Sequence, residues 1–78
     1  PNPSAGQFSL LFQAADGEQL TAKVYNVQGK LVKEYNITGD GFVQKLAIEL
    51  GGSSFANGLY LLDVRAGDKR RSFRLVKQ

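Results

Sequence analysis

Apolar and polar residues alternate along most of this chain, in short runs with a period of two. Residues 7–12 place Phe8, Leu10 and Phe12 on one side, and residues 20–26 align Leu20, Ala22 and Val24 against Lys23 and Tyr25. Residues 30–37 put Leu31, Tyr35 and Ile37 on one face. Residues 42–50 turn Phe42, Leu46, Ile48 and Leu50 inward and Val43, Lys45, Ala47 and Glu49 outward. Successive side chains of a strand leave opposite faces, so this alternation predicts half-buried strands. Nowhere does a spacing of three to four persist long enough for a helix.

The clearest element is a hairpin over residues 57–77, folded at Gly67-Asp68. Glycine takes positive φ without strain, which suits a two-residue loop. That loop fixes the register: Ala66 faces Lys69, Val64 faces Arg71, Leu62 faces Phe73 and Tyr60 faces Leu75. Tyr60, Leu62, Val64, Phe73 and Leu75 then form the core face. The other face carries Leu59, Leu61, Asp63, Arg65, Arg70, Ser72, Arg74 and Val76, with Arg65 directly across from Arg70. Opposed like charges destabilise. Asp63, diagonal to Arg70 and Arg74, is expected to gather them into a solvated ion-pair network, and an anion-binding or partner-binding stripe is the sharper reading.

Punctuation between the runs completes the outline. Asn26-Val27-Gln28-Gly29 fits a type I turn closed by a left-handed glycine, Thr38-Gly39-Asp40-Gly41 breaks the pattern, and Gly51-Gly52-Ser53-Ser54 reads as a flexible connection before Phe55, a plug for the end of the core. Asn57-Gly58 turns the chain into the final hairpin. Six short strands with turn chemistry between them predict an all-β fold, a small antiparallel β-sandwich of six or seven strands, with an open OB-like barrel as the alternative. The prolines of Pro1-Asn2-Pro3 make residues 1–6 a lead-in linker and leave residues 7–78 as the domain.

Composition adds three constraints. At 78 residues without cysteine or histidine, the chain has neither disulfide nor structural zinc to staple it, so strand pairing and apolar burial must suffice. Lacking methionine, it reads as a processed or excised piece of a longer chain. Its net charge of +3 is uneven: Arg65, Lys69, Arg70, Arg71, Arg74 and Lys77 face only Asp68 in the last stretch. Basic residues beside aromatics raise nucleic-acid binding, but Tyr60 and Phe73 fall on the core face, which argues against it. No apolar run reaches the roughly 18–20 residues that span a bilayer, so membrane insertion is not expected.

Candidate chemistry is sparse. Without His or Cys, the serines lack the usual activating partner, and Asp16, Glu18, Asp40 and Asp68 sit in turns, where Asp bonds its own backbone. Gly39-Asp40-Gly41 lacks the spaced oxygens of a calcium loop, and Gly51-Gly52-Ser53-Ser54 lacks the lysine and helix of a phosphate cradle. Asn36-Ile37-Thr38 matches a glycosylation sequon. No enzyme and no cofactor are read from these residues.

Three features in order carry a family resemblance: Pro1-Asn2-Pro3; then 24–32, Val-Tyr-Asn-Val-Gln-Gly-Lys-Leu-Val; then 58–64, Gly-Leu-Tyr-Leu-Leu-Asp-Val, before a basic terminal strand. Together they resemble the type A C-terminal sorting domain of the type IX (Por) secretion system of Bacteroidota. The resemblance implies an Ig-like β-sandwich that directs a parent cargo protein from the periplasm across the outer membrane. It further implies type IX secretion components as partners, and a sortase-type cysteine protease that cuts near Pro1-Asn2-Pro3 while joining the cargo to lipopolysaccharide. The family's turn glycine falls on Gly29, followed by Lys30; its Gly-x-Tyr pattern falls on Gly58 and Tyr60; its terminal basic residue falls on Lys77. Gly29, Gly58 and Tyr60 are expected to set the fold. Arg70, Arg74, Val76, Lys77 and Gln78 are the contact candidates for the machinery, and trimming from Arg74 onward is expected to block export without unfolding. An accessory carbohydrate-binding or adhesion module, using outward Tyr25, is the alternative.

Overall fold

The computed structural model describes residues 4–78; the Pro1, Asn2 and Pro3 of the family pattern lie outside the described residues. Six antiparallel strands form in chain order: β1 (Gln7–Gln13), β2 (Gln19–Tyr25), β3 (Leu31–Thr38), β4 (Val43–Glu49), β5 (Gly58–Ala66) and β6 (Lys69–Lys77). They make two sheets, β1-β4 and β3-β2-β5-β6, packed as a small Ig-like sandwich. Among the described residues there are six strands, and Ser4 adds an isolated parallel bridge to Lys77.

The inner faces meet as the alternation requires. Phe8 opposite Ile48 in the two-stranded sheet covers Val24 opposite Leu62 and Tyr60 opposite Leu75 in the other. Ile48, Leu50, Leu62 and Val24 are fully buried, each worth about 1.5–3 kcal/mol of transfer free energy. The final hairpin has the register its turn dictates, Ala66 opposite Lys69 through Tyr60 opposite Leu75, with Gly67 at φ +63°.

Two inward assignments are corrected. Leu31 does not share the face of Tyr35 and Ile37. A register shift at Val24/Tyr25 makes Val32 and Lys33 together oppose Val24, so Val32 packs on the core and Leu31 moves to the outer face beside Tyr25, 42% exposed. Phe42 does not open the inner face of β4. Its backbone N–H donates to Asp40 Oδ1 at 2.9 Å in a local turn, with Gly41 at positive φ, and pairing with β1 begins only at Val43. No residue of β1 pairs with Phe42, which stays 74% exposed.

The β4–β5 connection is not a loose one. It is tied to the rest of the fold at Gly52, Phe55 and Ala56, which positions the site.

Candidate functional site: the two ends of the final hairpin

Alternation along β5 and β6 sends a second set of side chains to the outer face. Near the Gly67 turn this set is charged. Asp63 is buried in the middle of the sheet, between Lys23 of β2 and Ser72 of β6. Its Oδ1 accepts from Arg70 Nε at 2.9 Å and its Oδ2 from Arg65 Nε at 3.2 Å. The opposed arginines are thus reconciled by one carboxylate lying between them. The network differs from expectation in two ways: Arg65 joins Arg70 on the carboxylate, and the carboxylate is enclosed and not solvated. Burial pushes the Asp63 carboxyl up, but the hydrogen bonds and charges of Arg70 and Arg65 outweigh it and hold its pKa below the ordinary 3.8. Both guanidinium groups remain more than half exposed, so each pair is worth about 0–1 kcal/mol.

At the other end of the hairpin the strands run into the residues of the family pattern. Lys77 is only 6% exposed, and its Nζ donates to the carbonyl of Gly52 at 2.7 Å and to that of Phe55. An ammonium is costly to enclose without partners, and these two carbonyls supply them. Lys33 Nζ lies 5.6 Å from the centre of the Phe55 ring. Tyr60 Oη donates to the carbonyl of Ala56 at 2.6 Å, a tyrosine bonded back to the chain that leads into its own strand. Loop 50–57 is therefore fastened by side chains from β5 and β6. The expectation that Lys77 presents itself to the machinery is corrected in one respect: its charge is used inside the domain.

The turn glycines have a conformational role. Asn26 Oδ1 accepts from the N–H groups of Gln28 and Lys30, the Asn26 carbonyl accepts from Gly29 N–H at 3.0 Å, and Gly29 sits at φ +81°. Gly58 sits at φ +138°, and a Cβ at either position would meet nothing within 4 Å. Backbone geometry, not crowding, demands glycine there. Lys30 is exposed on the turn. Lys30, Gly58 and Tyr60 line a cavity of about 390 Å³ between the β2–β3 turn, which holds Gly29, and the β4–β5 loop, and Lys77 pairs with Gly58 across the hairpin.

The remaining contact candidates divide. Arg70 and Arg74 are exposed, Val76 is half-buried beside Leu59, and Gln78 is exposed with its N–H donating to the Ser4 carbonyl at 2.8 Å. Ser4 N–H donates in turn to the Val76 carbonyl, so the lead-in is tied to the last strand. Sequence reasoning missed that tie and the enclosed Lys77 ammonium, because both depend on which segments return to the end of β6. Tyr25 faces outward as expected, between Leu31 and Leu61. Among the described residues no cluster of acidic side chains could hold a metal ion, and no helix is long and apolar enough to cross a membrane.

The described residues thus form a compact antiparallel sandwich whose motif residues build its turns and whose last strand carries several cations. The secretion system C-terminal sorting domain family matches over residues 1–78, and the chain belongs to that family. No curated protein and no solved structure shows significant similarity to it. The family is that of type IX sorting tails, which accompany a cargo exported across the outer membrane to the cell surface or beyond; it is not an enzyme family.

Proposed function

We propose that this domain is a sorting signal read in its folded state, by type IX components that contact the outward margin of β6 while the cargo passes from the periplasm across the outer membrane. The observation that supports this reading is the arrangement of β6: it is the terminal strand of its sheet, and it turns Leu75 into the core while Arg70 and Arg74 stay at the surface. Exposed like charges on a rigid edge steer an oppositely charged partner and fix its register. Arg70, Arg74, Val76 and Gln78 are the contact residues, and Lys77 supports them by holding the loop beneath. Residues 1–6 serve as the tether and residues 7–78 as the domain. A sortase-type cysteine protease then releases the domain by cutting the tether or the chain just before it.

Fusing these 78 residues behind an exported reporter in a Bacteroidota host with the type IX system should place the reporter on the surface or in the medium. Retention in the periplasm would overturn the reading. Trimming from Arg74 is not the right second experiment, since it removes buried Leu75 and Lys77 and would unfold the domain. Substituting Arg70 and Arg74 together by glutamine keeps the core and neutralises the margin without setting a second carboxylate beside Asp63.

A further inference from the structure

The two sheets do not pair along one side of the sandwich: β1 bonds to β4 and β6 to β5, leaving a seam between β1 and β6. The seam is a groove. Two cavities, of about 210 and 230 Å³, meet at Leu10 and Phe73, and their floor is apolar: Phe8, Leu10, Phe12, Val64, Phe73 and Leu75. The lining is strongly one-signed, with Lys69, Arg70, Arg71 and Arg74 against Glu18 alone. Glu18 is already engaged, since its Oε1 accepts from Ala15 N–H, and of the cations Arg70 is shared with Asp63.

The backbone of β6 has a defined direction here. The Val76 carbonyl and the Gln78 N–H point to Ser4 and hence away from β5. In an antiparallel ladder alternate residues turn both groups the same way, so Ser72 and Arg70 also present N–H and C=O to the sheet edge, while Lys69, Arg71 and Phe73 bond to β5. An edge with outward donors and acceptors beside an apolar groove is the setting for strand addition. The cations decide which strand. A second copy would bring its own arginines against these, and like charges opposed across a ladder destabilise.

We propose that the β1–β6 seam accepts an extended acidic peptide strand, which pairs with β6 at Arg70 and Ser72, seats alternate apolar side chains between Leu10 and Phe73, and meets the basic rim with carboxylates. This deepens the export reading and rests on it only for the partner's identity: a component that reads the domain would offer such a strand.

Titrating the isotopically labelled 78-residue chain with a synthetic peptide of alternating valine and glutamate tests this by amide NMR. The expected result is shifts concentrated at residues 70–73 and at Phe8 to Phe12, binding that weakens several-fold on adding salt, and no response to the matching valine–lysine peptide. Ser72→Pro removes an edge donor without touching the ladder to β5, and should weaken binding at least about tenfold while the unfolding midpoint is kept. If that variant fails to fold, Arg71→Glu must show the same loss. Equal binding of both peptides, shifts centred on Tyr25 and Leu61, or no shift at all would overturn the proposal. A domain that exports its reporter yet ignores the acidic peptide sinks only the strand; one that binds the peptide yet leaves the reporter in the periplasm sinks the sorting reading.

Discussion

The two ends of β6 carry cations in the same alternating pattern and use them in opposite ways. Near the Gly67 turn, Arg70 keeps its side chain 58% exposed and lends one N–H to Asp63. At the far end Lys77 is 6% exposed and spends its ammonium on two loop carbonyls. The difference comes from what lies over each position. Only neighbouring strands flank Arg70, whereas the β4–β5 loop folds back over Lys77. A basic residue near the end of a strand is thus no evidence of a contact surface until its covering is known.

The comparison predicts a graded set of effects. Lys77→Met should be the most damaging, because it strands the Gly52 and Phe55 carbonyls beside an apolar side chain: a loss of about 2 kcal/mol in urea unfolding, and more if the loop detaches. Gly58→Ala should cost about 1–2 kcal/mol from backbone strain alone, as its Cβ meets nothing. Tyr60→Phe deletes one hydrogen bond to Ala56 and should cost about 1 kcal/mol, the same urea unfolding serving for both variants. Arg70→Ala, at the turn-proximal end, should cost under about 1 kcal/mol. A loss at Arg70 equal to that at Lys77 would erase the distinction.

Acid sharpens it further. The Asp63 carboxyl is depressed in the folded state, so the stability it contributes is present above its unfolded value and is lost as pH falls through the lower folded one. Unfolding midpoints measured from about pH 6 downward should therefore drop most steeply below about pH 4, and Asp63→Asn should flatten that drop. An unchanged slope in the variant would show that the arginines do not hold the carboxylate.

What could be read from the sequence follows from range. The register of the final hairpin was legible because one two-residue loop fixes it, and the Asn26–Gly29 turn because its glycine and asparagine act within five residues. Leu31 was misplaced because a bulge shifts phase without any mark in the alternation, the extra residue being another valine. Phe42 was misplaced because apolar character indicates burial only within a paired strand, and pairing with β1 begins at Val43. Lys77 depended on a loop more than twenty residues away. Long-range closure, not local pattern, decided which members of the candidate site are surface and which are support.

The most direct measurement compares export with stability in two variants, Lys77→Met and the double Arg70→Gln/Arg74→Gln, each fused behind the same reporter and each also purified for urea unfolding. The expected result is that the arginine pair loses export while its unfolding midpoint stays close to that of the parent, and that Lys77→Met loses both together. Export undiminished in the arginine variant, or abolished in a Lys77→Met domain as stable as the parent, would contradict it.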